Sequence, residues 1–478
     1  METVLAILLF VVVFGINTLL WGTVGLGRWA TERLTRSRRA GRHQVDAVHR
    51  RSTAGAVASR LRPVDVAVLI PAHNEEAVIE NSLAAAAALL PKANIHVLSD
   101  GSTDDTTVIA RDFGANVLEL SPNRGKAGAL LAGIRHFQIE QNYRVVLLLD
   151  ADTRLAPDYF TTGLAEFDDP DVVAVAGQVE CLLDPPPRTR VGRVLVAYRA
   201  RVYAVVQLLV KYGQAARSAN VVSIVPGFAS MYRTDVLAHI DIAAPGLVIE
   251  DFNMTFEVHA NRLGRIVFRP GVAVAYTQDP DTLHDYTRQL RRWALGFWQT
   301  ARRHRLGAGK FRIALTLLVL ELVSSSFLVV VMLPLTLFAL YSMTLAESFG
   351  HPELMGYELV GTWGPWHALF GFLLPDVALT VFAAIALRRP AMIALAPIFP
   401  ATRRAVDPDH HHQPGGAVVS YAHSPSIDTP RRSNSLRVSG RLRPITLDGS
   451  PSMPLTNQPP RPSRVKPPAT PSGSPRAM

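Results

Sequence analysis

The chain predicts an α/β domain on a mostly parallel sheet, flanked by transmembrane helices. Three observations carry this. Between residues 64 and 176, short apolar runs alternate with helical runs. Long apolar stretches lie before and after that region, and clusters of arginine mark their ends. Strand–helix alternation with continuous apolar strands indicates a parallel sheet covered on both faces. The ligands of such sheets bind beyond the carboxyl ends of the strands.

Residues 3–27 are uncharged, long enough for a hydrocarbon core that needs about 20 residues. Glu2 precedes the stretch and arginines follow it, the reverse of a cleaved signal peptide. Residues 1–27 are therefore expected to form an anchor with its C-terminal end in the cytoplasm. Residues 28–62 hold ten arginines against Glu32 and Asp46 and read as a basic cytoplasmic linker. The net charge is +10, but no basic–aromatic stripe accompanies it. Nucleic acid is thus not an expected partner, and membrane lipids are.

The catalytic-type domain is expected over 63–300. Its strands are read at 64–70, 94–98, 145–149 and 172–176, and its helices at 75–90, 104–113, 126–138 and 156–167. Residues 190–223 read as a long mixed helix, 251–262 as a helix, and 281–306 as an amphipathic helix suited to a membrane surface. Beyond lie an interfacial segment (301–312), a second span (313–341), an extracytoplasmic loop (342–367), a third span (368–387) and an apolar interfacial segment (388–401). Glu347, Glu353 and Glu358, with no Lys or Arg among 345–366, suit an outer loop. Residues 402–478 are rich in Pro, Ser, Thr and Arg without periodicity and are expected to be disordered. His410 to His412 could hold a metal only loosely. Cys181 is the single cysteine, so no internal disulfide forms, in keeping with a cytoplasmic domain.

The polar motifs punctuate these elements. PAHNEE (71–76) follows the first strand and reads as a helix cap or as a crevice loop carrying Pro71, His73, Asn74 and Glu75. SDGSTDDT puts Asp100 and Gly101 at a sharp turn, where a carboxylate can meet a nucleobase edge or cap the next helix. NRGKAGAL sets Lys126 at a helix start, which suits phosphate. Asp150 and Asp152 end an apolar strand and offer hard oxygens for Mg²⁺ or Mn²⁺. Glu250-Asp251 opens a helix. QLRRW brings Gln289, Arg292 and Trp293, a hydrogen-bonding amide, a cation for diphosphate and a flat platform for a sugar. Alternatively it is an interfacial anchor helix.

This order of three acidic motifs and Q-x-x-R-W before an apolar segment resembles the membrane-bound family 2 glycosyltransferases: cellulose, hyaluronan and poly-N-acetylglucosamine synthases and their relatives. The resemblance spans roughly residues 64–345. It implies a nucleotide-diphospho-sugar transferase (GT-A-like) fold and an inverting transfer from a nucleotide sugar, UDP-linked, with a divalent metal. Pro71, His73, Asn74, Glu75, Asp100, Gly101 and Lys126 would bind the nucleotide, and Asp150 and Asp152 the metal. Asp251 would be the general base with Glu250 as the alternative. Gln289, Arg292 and Trp293 would meet the acceptor and diphosphate. The expected acceptor is a glycan or lipid-linked saccharide, and the expected place is the plasma membrane, with the catalytic domain cytoplasmic. Three expected spans are few for a product channel, so an oligomer or export partner is a further expectation. Glu321 and Asp376 fall within apolar stretches and are functional candidates by that fact. A single-transfer lipid glycosyltransferase and a catalytically retired membrane scaffold are the competing readings.

Overall fold

The computed structural model describes residues 14–46, 61–187, 189–304, 308–327, 330 and 374–395; the side chains of 35–46 are not described. The expected tail at 402–478, with His410 to His412, lies outside these residues, as does the loop 342–367.

The central sheet has seven strands in the order β3-β2-β1-β4-β8-β6-β9. They are β1 (Val66–Ala72), β2 (Ile95–Asp100), β3 (Asn116–Leu120), β4 (Val145–Leu149), β6 (Val172–Ala176), β8 (Ala229–Arg233) and β9 (Arg265–Val267). β1, β2, β3 and β4 pair in parallel, and β6 pairs in parallel with β9. β8 runs antiparallel between β4 and β6. The sequence pattern did not mark β3, β9 or β8, the last of which lies far along the chain from both its neighbours. A second sheet of β5 (Arg154–Leu155), β10 (Val274–Thr277) and β7 (Gln178–Cys181) sits beside the first.

Both faces of the large sheet are covered, which explains why its strands read as unbroken apolar runs. Val66, Val68 and Ile70 point to one face, where the helix α2 (Ile79–Ala87) brings Ile79, Leu83 and Ala86. Ala67 and Leu69 point to the other, onto Ala129, Leu130 and Ile134 of α4 (Gly125–His136). Alternate side chains of a strand take opposite faces, so every position here meets a core. Between these helices, α3 (Thr106–Phe113) links β2 to β3.

Two boundaries differ from the sequence reading. The first helix, α1 (Ile16–Asp46), runs straight through the expected break at residue 27. Its Gly22 and Gly25 dock on the turn that follows the helix α5 (Arg190–Val205). A Cβ on Gly213 would lie 2.0 Å from the Trp21 carbonyl oxygen, so only glycine allows this approach. Arg28 secures the contact by donating to the Tyr212 carbonyl at 2.9 Å while lying over the Tyr212 ring. The expected single helix over 190–223 instead ends as α5, passes into a π-helical turn (Val206–Lys211) and closes by Gln214.

Beyond β8 come α6 (Glu250–Ala260), α7 (Leu283–Arg303), α8 (310–327) and α9 (Leu374–Ala386). No helix among the described residues is long and apolar enough to cross a membrane. The expected spans reach into residues 1–13, 331–341 and 368–373, which lie outside the described residues. Glu321 and Asp376, singled out as polar groups in apolar stretches, both tie helices together. Glu321 accepts from the Asn17 backbone N–H at 2.6 Å and from its side chain at 2.9 Å. Asp376 forms a buried pair with Arg201 of α5 at 2.6 Å.

Candidate active site

The carboxyl ends of β1, β2 and β4 bring four of the sequence motifs together. Pro71 and Ala72 still belong to β1, and PAHNEE then turns away without capping a helix, because α2 starts only at Ile79. Asn74, at φ +58°, directs its carbonyl oxygen to the Thr103 N–H at 2.8 Å, across to the SDGSTDDT loop. The Glu75 N–H donates to Thr106 Oγ1 at 2.7 Å and the His73 ring bonds the Asp100 carbonyl at 2.8 Å. The two loops therefore form one wall.

Asp100 ends β2 and is buried. Its Oδ1 accepts from the Arg124 backbone N–H at 2.7 Å. Burial raises its pKa, against the pull of the N–H groups of Arg124 and Gly125. Gly101, at φ +71°, turns the chain tightly, and a Cβ there would meet Asn123 at 3.3 Å. The wall thus fixes where α4 begins, and Lys126 with it.

Lys126 is the hub of the site. Its Nζ lies 2.7 Å from Asp150 Oδ1 and 3.1 Å from Glu250 Oε1, and it donates to the Gly227 carbonyl at 3.2 Å. Burial alone would lower its pKa, but the Asp150 and Glu250 carboxylates override this and hold it above its usual value. One ammonium thus joins the motif after β4 to the motif opening α6.

Asp150 and Asp152 lie just past β4 in a turn closed by the Thr153 N–H on the Asp150 carbonyl at 3.1 Å. Their charges interact. Burial, then the Asp150 charge, push Asp152 up to about 7. Burial, then Asp152 and Asp150, push Glu75 up to about 8. Glu75, read from the sequence as a nucleotide contact, therefore shares the field of the expected metal ligands.

No three metal-ligating side chains form a ready cage among the described residues. The donor set still suits a hard cation. Mg²⁺ and Mn²⁺ take one or two carboxylates and fill the shell with phosphate oxygens and water. Burial and then the like charge of Asp150 raise Asp152, and a divalent cation relieves that crowding.

Asp251 sits inside the first turn of α6; the cap residue is Ile249, with no side-chain cap. Its Oδ2 accepts from the Gly227 N–H at 3.3 Å and its Oδ1 from the Phe252 N–H at 2.7 Å. Burial, then the Glu250 charge, push it up to about 7, with Lys126 and the two N–H groups opposing. Gly227 stands in none of the sequence motifs. Gly227 in fact touches all three charged partners: a Cβ there would lie 3.0 Å from Glu250 Oε1, 3.3 Å from Asp251 Cβ and 3.4 Å from Lys126 Nζ. Lys211, in the π-helical turn, was also missed. It is buried, and burial lowers it to about 8 against the pull of Asp251.

The QLRRW helix, α7, is bound to this centre from the far end. Gln299 accepts from the Val248 N–H at 3.0 Å, Gly296 packs on Ile249, and Phe297 meets Phe252 edge-on at 5.5 Å. The aromatic side read as membrane-facing thus packs on protein: Phe297 is buried and touches Trp298 as well. Arg292 is exposed, and Gln289 Oε1 is buried with no hydrogen-bond partner. Trp293 is half-buried against Arg199, 4.6 Å from the ring centre.

A mostly parallel sheet with a cationic hub among carboxylates at its strand ends defines a nucleotide-sugar transferase fold of the GT-A-like type. Residues 67–241 match the family described as glycosyl transferase family 2. Among curated relatives it is similar to the poly-β-1,6-N-acetyl-D-glucosamine synthase of Staphylococcus epidermidis, 26% identical over 256 residues, covering 50% of this chain and 58% of that one. It is also similar to the uncharacterized glycosyltransferase YaiP of Escherichia coli, 27% identical, covering 50% of this chain and 58% of that one. The chain thus spans less than two thirds of the length of these relatives. A solved mannosyltransferase of Pyrobaculum calidifontis, in complex with GDP-Man and Mn²⁺, overlays with a TM-score of 0.47 at 19% identity, covering 79% of this chain and 98% of that one.

Proposed function

We propose that this chain is an inverting glycosyltransferase. It moves a sugar from a nucleotide sugar, UDP-linked, to a saccharide acceptor, and serves polysaccharide or cell-envelope glycan synthesis at the cytoplasmic face of the plasma membrane. The observation that carries this reading is the Lys126 bridge between Asp150 and Glu250, beside Asp251. It sets a cation, a pair of metal-type carboxylates and a base candidate within one cleft.

In this reading Asp100 and the wall of His73, Asn74 and Glu75 receive the nucleotide. Lys126, near the N-terminus of α4, meets the diphosphate, where the helix N–H groups also favour anions. Asp150 and Asp152 would hold a Mg²⁺ or Mn²⁺ ion, which supplies charge neutralisation for the nucleoside diphosphate leaving group. Asp251 takes the proton of the acceptor hydroxyl as that oxygen bonds to the anomeric carbon. The sugar–phosphate bond breaks on the opposite face, so the configuration inverts and no covalent enzyme intermediate forms. A base that titrates near 7 suits this work, because general-base efficiency is greatest when the pKa lies near the operating pH. Arg292 and Gln289 would meet the diphosphate and acceptor, and Trp293 the acceptor sugar.

Placement at the membrane rests on the apolar stretches 3–27, 313–341 and 368–387 and on the arginines after the first of them. The similarity to a polysaccharide synthase supports a polymer product over a single transfer to a lipid. The test is a panel of UDP-N-acetylglucosamine, UDP-glucose and GDP-mannose, each with Mn²⁺ or Mg²⁺. The acceptors are β-1,6-linked N-acetylglucosamine, cello- and manno-oligosaccharides. Nucleoside diphosphate release, product length and anomeric configuration are read. One donor should give an inverted, extended product; retention of configuration, or no turnover with any donor, refutes the reading.

A further inference from the structure

We infer that Arg199 is a positioning residue for acceptor binding, acting through the ring of Trp293. This deepens the proposed transferase reading and rests on it.

Arg199 is a fully buried guanidinium, 2% exposed, on α5. Its Nε pairs with Asp279 Oδ1 at 3.0 Å, and its Nη2 donates to the Tyr203 hydroxyl at 2.5 Å. The same hydroxyl donates to Asp279 Oδ1 at 3.0 Å, closing a triangle of three polar groups. Around it stand three aromatic rings, with Trp293 at 4.6 Å, Tyr203 at 4.8 Å and Tyr286 at 5.5 Å from the guanidinium carbon. Trp293 and Tyr286 belong to α7, Tyr203 to α5, and Asp279 to the segment just after β10.

An apolar side chain would fill this space without desolvating a charge, and replacing a buried ion pair by packed apolar groups is often neutral or stabilising. What the guanidinium adds is direction. It is planar, stacks on aromatic faces and holds its fork in a fixed geometry. With Asp279 and Tyr203 fixing its plane, it fixes the tilt of the Trp293 ring. With one face of that ring taken, a sugar has only the other face to lie against. Arg199 itself is buried away from solvent, so it acts on an acceptor through Trp293 and not by contact. None of the sequence motifs includes it.

The experiment uses the full chain in its membrane, with the donor and oligosaccharide that the wild type uses best in the panel above. KM and kcat are measured separately for donor and acceptor in Arg199→Met, Arg199→Lys and Tyr203→Phe. A desolvated cation–π contact corresponds to about a tenfold change in binding. Arg199→Met is therefore expected to raise the acceptor KM about tenfold, with donor KM within twofold. Arg199→Lys, which keeps the cation, should recover part of the loss. In a Trp293→Ala background, Arg199→Met should add nothing to the acceptor KM, because the two act as one unit. An unchanged acceptor KM, equal losses for donor and acceptor, or full additivity with Trp293→Ala overturns the inference. If Arg199→Met fails to bind donor and so has not folded, Tyr203→Phe decides: a raised acceptor KM supports the inference and an unchanged one overturns it. A wild type that releases no nucleoside diphosphate from any donor refutes the transferase reading and this assignment with it. An active wild type whose Arg199 variants leave the acceptor KM unmoved refutes the Arg199 assignment alone.

Discussion

Lys126→Met removes the hub of the site while keeping the length of the side chain. Removing one partner of a buried ion pair costs about 3–5 kcal/mol. Here the Lys126 and Asp150 side chains are 33% and 35% exposed, while Glu250 is 7% exposed. Solvent screening of the first pair brings the expected loss of stability to about 1–3 kcal/mol. Three further consequences follow. The loss of a cation aimed at the leaving diphosphate should lower transfer on the order of 10²–10³-fold, the range for a lost electrostatic donor. Lys126 also lowers the pKa of Asp251 from its side of the cleft, so without it Asp251 titrates higher. The rising limb of the pH–rate profile, expected near 7, should move to higher pH. Lastly, Asp150 loses its internal counter-ion, so Mn²⁺ should bind the donor-free variant more tightly than the wild type. The assays are calorimetric Mn²⁺ titration and pH profiles of kcat/KM. Weaker Mn²⁺ binding together with an unmoved or lowered pH limb would refute the hub argument.

Four further outcomes are expected. Asp251→Asn should keep donor binding but lose at least ~100-fold in transfer and the rising limb near pH 7 with it, since below its pKa Asp251 carries the proton that it must be free to accept; loss of donor binding with unaffected turnover at saturation would point instead to Glu250. Asp152→Ala should abolish transfer in a folded protein, as should EDTA, and full activity in either removes the metal assignment. Gly227→Ala should lower transfer by roughly tenfold or more, because its Cβ would press on Glu250, Asp251 and Lys126 at 3.0–3.4 Å in a site where misplacement by about 1 Å costs 10²-fold; unchanged kinetics would show that the turn yields freely. For topology, a cysteine near residue 355 should react with an impermeant thiol reagent from outside the cell and one near residue 45 should not, and the reverse labelling would overturn the orientation.

The sequence by itself determined four strands of the large sheet, β1, β2, β4 and β6, and marked candidate polar groups around it. Strands such as Val145–Leu149 are apolar at every position because both faces meet a core. That signature survives without knowing what covers them. Asp100, Asp150 and Asp152 stood out as acids at the ends of such runs, and Lys126 and the Glu250-Asp251 pair as charges at helix starts. Only the tertiary structure decided how they are wired. Lys126 meets Glu250 across more than a hundred residues, and no local pattern encodes a contact at that separation. The antiparallel β8, the Gly227 turn that touches Lys126 and Asp251, and the docking of α1 on Gly213 are long-range fits of the same kind. The sharpest case is Trp293. Its amphipathic helix has the spacing of a membrane-surface anchor, and helical period alone cannot say whether an aromatic face meets lipid or protein. The buried Arg199, held by Tyr203 of its own helix and by Asp279 from beyond β10, is what gives that ring its place.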